Sequence, residues 1–286
     1  MINFNEEKLF REHQNGVDII ETTEKIIDDV CKAGFKNIFF IGIGGTVLYA
    51  NQMFIILKQL GSLMPVFVEN AANFCVVGNP HFSNESIVII ESISGDTKEV
   101  VEAVEKAHKV GAKVIGYVEK KDSALAEQSD YLVSTVGGGY YFWYTVALRF
   151  LKNAGQFDDY DDFMKNFSKL PSVVASIQKE VDSDAKAYAE KYYDENIQYL
   201  VGSGNLEDWA TCYGMCIMEE MQWMRTRPIS ATNFFHGTLE VIERNTSVII
   251  IKGEDITRPL IDRVEKFVHR ISAKVTVFDT KSFSLE

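Results

Sequence analysis

The residues best suited to chemistry in this 286-residue chain lie where an apolar run, SIVIIES, gives way to ISGDT and then to KEVVEAVEKAHKVG. A buried strand there passes through Ser92, Ser94, Gly95, Asp96 and Thr97 into a helix. The first turn of a helix carries unpaired N–H groups and a partial positive charge. Gly95 lets the backbone come close to a ligand, and the hydroxyls of Ser92, Ser94 and Thr97 add donors around the same point. Such a loop is a phosphate seat at the carboxyl end of a sheet strand. It also suits an ordinary helix start, with Ser94 or Asp96 as the cap and the other hydroxyls in water. A second glycine-rich turn, IGIGGT, follows another apolar run. There the backbone at Gly45 and the hydroxyl of Thr46 either touch a sugar or phosphate or form a tight strand-to-helix turn. Val47 breaks the dinucleotide-binding glycine spacing, and no Walker lysine pattern is present.

Proton transfer calls for a titratable group held out of bulk water. In the stretch MEEMQW…FFHG, Met215, Met218, Met221, Trp223 and Met224 give an apolar stripe on a helix, suited to a core or an interface. Glu219 and Glu220 interrupt it, each as a solvated edge residue or as a carboxylate in a cleft. His236 stands beside aromatic residues and Gly237, a setting that fits a structural histidine as well as an acid–base. Cys212 and Cys216 would share a helix face, but no His or Cys pair nearby completes a metal site, so no metal is expected. Nothing in the sequence offers a site for nicotinamide or pyridoxal, and no cofactor is expected.

Elements of two kinds must position these groups. Short apolar runs (KNIFFIG, SIVIIES, AKVIGYVE) alternate with helical stretches of 10 to 15 residues, which predicts an α/β fold with parallel sheets. Runs apolar on both faces predict helices on both sides of each sheet. The pattern then returns: ENIQYLVGSG echoes KNIFFIGIGG, and TSVIIIKGEDITRPLIDRVEKFVHRISAKVTVFD echoes ESIVIIESISGDTKEVVEAVEKAHKVGAKVIGYVE. A near-constant offset is the mark of a duplicated unit. The predicted layout is an N-terminal helical segment 1–33, a first unit 34–154, a helical linker 155–195 and a second unit 196–286. In the second unit the loop KGEDITRPL lacks the serines and carries Glu254 and Asp255, which favours one phosphate site per chain. The formal charge of −12, with no basic run, argues against nucleic acid or an anionic membrane as partner. Four cysteines read as free thiols, and the charged N-terminus lacks an apolar signal core, so a cytoplasmic protein is expected.

The combination of SISGDT after a buried strand, a duplicated α/β unit and MEEMQW…FHGTLEVIE resembles the SIS (sugar isomerase) domain family. Within it, EMQW, then FHG-x-x-E, then TRPL resembles the fructosamine-6-phosphate deglycases and, more distantly, the isomerase half of glucosamine-6-phosphate synthase. The resemblance covers about residues 30–286. It implies two tandem SIS-type units and cleavage of a fructosamine 6-phosphate to glucose 6-phosphate and a free amine. The alternatives it leaves are an aldose–ketose isomerase, an amino-sugar phosphate deaminase and a sugar-phosphate-binding regulatory module. It makes Ser92, Ser94, Gly95 and Thr97 the phosphate loop, Gly45 and Thr46 sugar contacts, Glu220 the base between C1 and C2, and His236 the acid–base for ring opening and amine departure. It does not select Glu219. It also implies a homodimer in which His236 reaches the partner's site. The sequence departs from the pattern at Asn233, where an acid is common, and at Thr238, where proline often follows HG. It ends just after its last strand, where relatives continue with further helices.

Overall fold

The computed structural model describes residues 5–283. The chain divides into two compact units, one ending at Lys179 and the other beginning at Glu180. The boundary falls inside the helix Leu170–Tyr192, and so inside the segment 155–195 expected as a linker.

The first unit is built on a parallel five-stranded sheet of β1 (Asn37–Gly42), β2 (Val66–Asn70), β3 (Ser86–Ser92), β4 (Lys113–Val118) and β5 (Tyr131–Ser134), in the order β2-β1-β3-β4-β5. Every residue of β1 and β3 is buried, because their alternating side chains feed two cores. Phe39, Ile41, Val88 and Ile90 pack with Phe74, Val100 and Ala103 on one face. Ile38, Phe40, Ile87 and Ile89 pack with Ile27, Met53 and Trp143 on the other. Each such side chain contributes about 1.5–3 kcal/mol of burial.

The helices Glu6–Asp18 and Ile20–Ala33 join the second of these cores through Val17, Ile20, Ile27 and Val30. The helix Tyr160–Phe167 adds Tyr160, Met164 and Phe167 to it. Arg149 fastens the helix Ile20–Ala33 with a two-pronged bond to Asp28, 2.7 Å on each side, which holds the Asp28 carboxyl down at about 2. These three helices therefore belong to the first unit by apolar contact as well as by chain order.

The second unit holds β6 (Gln198–Gly202), β7 (Thr226–Ser230), β8 (Ser247–Lys252) and β9 (Lys274–Asp279), all parallel, in the order β7-β6-β8-β9. This repeats the order of the first four strands of the first unit. The repeat reaches single residues. Gly42 pairs with Asn70 and Gly202 with Ser230, and both Asn70 and Ser230 cap the following helix through their side chains. The fold is thus two parallel α/β units of one topology. Among the described residues no helix is long and apolar enough to cross a membrane.

Candidate active site

In the first sheet β1 and β3 are neighbours, yet the chain leaves them toward opposite edges, β1 to β2 and β3 to β4. Ligands of open parallel sheets bind at such a switch point, outside the carboxyl ends of the strands. Both glycine-rich loops lie there. Ser92, the last residue of β3, is 4% exposed, and its Oγ accepts the Gly95 N–H at 3.1 Å and lies 3.4 Å from Thr97 Oγ1. Gly95 has φ +70°, and a Cβ there would come within 2.1 Å of Ser123 Oγ, so only glycine fits.

Of the two cap candidates, exposed Ser94 accepts the Asp96 N–H at 3.4 Å in a local turn, and neither Ser94 nor Asp96 stands at the N-cap. Thr97 occupies the N-cap of Lys98–Val110 and its side chain makes no capping bond. Asp96 turns outward, accepting from Lys120 Nζ at 2.8 Å and Ala124 N–H at 3.0 Å, and Lys120 holds its carboxyl below the usual range. The acid is thereby drawn off the loop while Ser92 and Thr97 stay together on it. In the neighbouring loop Gly45 opens the helix Gly45–Gln59, while the Thr46 hydroxyl donates to Ile43 O at 3.0 Å. As placed, Thr46 holds its own turn.

Glu91, one residue before Ser92 and on the opposite face of β3, is 1% exposed. Trp143 Nε1–H donates to its Oε2 at 2.5 Å, and its Oε1 has no partner among the described residues. A Cβ at Gly139 would come 2.3 Å from that Oε1, so the helix Gly139–Asn153 begins with a glycine where it meets the acid. Burial pushes the Glu91 carboxyl up to about 7. The folded chain therefore holds a proton that the unfolded chain gives up near the ordinary carboxyl value of 4.5. Its contribution is complete below that value and is lost as pH rises through about 7, a fall of about 3 kcal/mol. Unfolding midpoints in urea measured from pH 4.5 to 7.5 should show this decline, and Glu91→Gln should flatten it. An unchanged slope in the variant would mean that another group carries it.

The second unit separates the two neighbouring acids. Glu219 Oε1 accepts from Thr226 N–H at 3.2 Å and from Thr226 Oγ1–H at 2.6 Å, tying the preceding helix to the amino end of β7. Glu220 is exposed, and its side chain makes no hydrogen bond or ion pair with a described residue. His236 is likewise exposed and likewise uncommitted, and follows the short helix Ala231–Phe234 beyond the carboxyl end of β7. Glu220 and His236 thus flank β7 along the chain, and no bond joins them.

The apolar stripe is not one buried face. Met218 is 3% exposed, but Met221 is 64% and Trp223 90% exposed. The helix expected there is wound as a π-helix over Tyr213–Glu219 and ends just before Glu220, which breaks the spacing. The large apolar cleft of this unit, 790 Å³ and walled by Tyr188, Trp209, Tyr213 and Phe278, includes neither Glu220 nor His236. Among the described residues no group of three or more His, Cys, Asp or Glu side chains is placed to hold a metal ion.

Residues 33–149, which hold both glycine-rich loops, match the family model of the SIS domain. The chain is 27% identical over 271 residues to fructosamine deglycase FrlB of Bacillus subtilis, covering 91% of this chain and 82% of that protein. It is 21% identical over 264 residues to fructoselysine 6-phosphate deglycase of Escherichia coli, covering 91% of this chain and 77% of that one. A crystal structure of a candidate phosphosugar isomerase from Bacillus subtilis superposes with a TM-score of 0.85 at 25% identity, over 97% of this chain and 86% of that one.

Two features of this protein lie outside what residue types alone reveal. Trp223, with φ +56°, is the one non-glycine residue of positive φ among those described. It closes the turn after Glu220 in the place where a glycine usually ends a helix. A bulky residue held there stores strain, and strain of this kind clusters at functional sites. The other is Glu91, whose only advance signal is an acid in an otherwise apolar strand.

Proposed function

We propose that the protein is a deglycase that cleaves a fructosamine 6-phosphate to glucose 6-phosphate and a free amino acid or amine. The observation that carries the reading is the hydroxyl-lined loop Ser92–Thr97 at the switch point, its one acid turned away. Similarity to FrlB and to fructoselysine 6-phosphate deglycase supports the choice of substrate.

The chemistry needs little else. The open-chain ketosamine has its amine on C1 and its carbonyl on C2. Glu220 removes a proton from C1 and the enediol-like intermediate is protonated at C2, leaving an imine between C1 and nitrogen. Water adds to that carbon, the amine leaves, and His236 moves the remaining protons. General acid–base transfer of this kind contributes about 10²–10⁴ in rate.

An exposed carboxylate is a weak base in bulk water, so Glu220 needs a cover. The exposed Met221 and Trp223 beside it suit burial against another protein surface. A twofold homodimer supplies that surface and lets His236 serve the partner's site. We place the protein in the cytoplasm, in keeping with its four free thiols.

Glucose 6-phosphate release, assayed over a panel of fructosamine 6-phosphates and amino-sugar phosphates, tests the reading. Release from a fructosamine 6-phosphate is expected. Turnover of an aldose, ketose or amino-sugar phosphate alone would make it an isomerase or deaminase, and binding without any turnover would make it a regulatory module.

Ser92→Ala and Thr97→Ala should each weaken binding of the phosphorylated ligand by about 1–3 kcal/mol. Isothermal titration would check this, with the unphosphorylated sugar binding poorly to parent and variants alike. Equal parental affinity for both sugars would reduce the loop to a helix start.

A further inference from the structure

The internal repeat puts a matching crevice in the second unit. There β6 and β8 are neighbours whose connections run to opposite edges, to β7 and to β9. The loops after them, residues 203–205 and 253–257, meet at this second switch point. Position for position, Thr257 stands where Thr97 stands, each at the N-cap of the helix that follows. Lys252 then corresponds to Ser92 and Asp255 to Gly95, the strand ends pairing alike, Ser92 with Val118 and Lys252 with Asp279.

In place of an open loop the second crevice holds a carboxylate. Asp255 Oδ2 accepts Asn205 N–H at 2.9 Å, from the loop after β6. Asp255 Oδ1 accepts Thr257 N–H at 2.8 Å and Thr257 Oγ1–H at 2.5 Å, and Ser203 Oγ lies 3.1 Å from that threonine oxygen. Donors from both loops thus converge on one anionic group, as they converge on a bound phosphate at a strand-to-helix turn. The fit is close. Gly204, at φ +55°, faces the carboxylate, and a Cβ there would come 2.1 Å from Asp255 Oδ2.

The nearby cations are also engaged. Lys252 Nζ bonds Asp262 at 2.7 Å and Glu265 at 2.5 Å, and Arg258 bonds Asp279 at 2.9 and 2.5 Å. The first unit does the reverse, with glycine at the matching position and its one acid, Asp96, bonded outward to Lys120.

We propose that the Asp255 carboxylate is a built-in occupant of the second switch-point crevice, standing where the first unit leaves room for a phosphate, so that each chain takes one phosphorylated ligand. What it says of the first unit rests on the proposed function; what it says of the second rests on these bonds. The closed crevice pins the loops after β6 and β8 to each other and keeps substrate out of the unit that lacks the serines.

The test is Asp255→Ala in the full chain, which removes the anion and keeps an ordinary backbone, read with inorganic phosphate. Equilibrium dialysis is expected to find one more phosphate per chain in the variant than in the parent. The thermal midpoint of the variant should fall in chloride and recover as phosphate replaces it at constant ionic strength, by a larger shift than in the parent. A folded variant with the parent's phosphate stoichiometry and the parent's response to phosphate would overturn the proposal.

If the variant does not fold in chloride, refolding in phosphate supports the proposal and indifference to phosphate overturns it. Asp255→Asn, which fills the crevice with a neutral group, should bind no extra phosphate. Because the readout is the difference between variant and parent, a first loop that binds no phosphate would sink the functional reading without touching this one.

Discussion

Replacing Glu220 with glutamine is expected to lower turnover of the sugar phosphate by about 10²–10⁴ while leaving its binding in place. The amide keeps the size and reach of the side chain and loses the basic oxygen, so an interaction made only as the proton moves is removed. In the proposed reading the phosphate is bound by the hydroxyls of Ser92 and Thr97, which this substitution leaves untouched. Pre-steady-state release of glucose 6-phosphate, together with ligand titration, separates the two effects. A variant that keeps a tenth of the parental kcat would remove Glu220 from the role of base.

Glu219→Gln is the informative neighbour. Glu219 spends one oxygen on the N–H and hydroxyl of Thr226, and glutamine can keep an acceptor there. Its activity should stay near that of the parent. Loss of turnover in this variant and not in Glu220→Gln would exchange the two assignments.

The parts of this molecule legible in its sequence are those written in local pattern. Fully buried β1 and β3 read as largely apolar runs, and the repeat shows in text because both copies need the same strands, turns and caps. The loop 92–97 is legible for the same reason, since hydroxyls, a glycine and a strand-to-helix junction all fall within six positions.

What stays hidden depends on contacts far along the chain or on backbone detail. Trp143 is 52 residues from Glu91, and only the fold brings an indole donor to that carboxylate. Asp255 reads as a lost serine loop with two added acids. That one of them turns inward onto Asn205, 50 residues away, follows from the meeting of two loops. The stripe 215–224 reads as helical by spacing, but spacing does not register the π-winding or the turn at Trp223, which carry Met221 and Trp223 to the surface.

That exposed end of the stripe bears on the second large effect, the recovery of activity when two dead variants are mixed. Glu220 and His236 lie on either side of β7, both exposed, with no bond between them. If His236 serves the partner's site, Glu220→Ala and His236→Ala should each be inactive alone. Co-expressed, they pair at random, and half of the dimers are mixed. A mixed dimer has one site with both residues lost and one with both intact, so about a quarter of all sites should work. If His236 instead served its own chain, every site in the mixture would lack one residue and no activity would return. Tandem affinity tags, one on each variant, isolate the mixed dimer and raise its expected activity to about half that of the parent. An inactive, doubly tagged dimer would rule out the shared site and leave Glu220 and His236 to be joined within one chain.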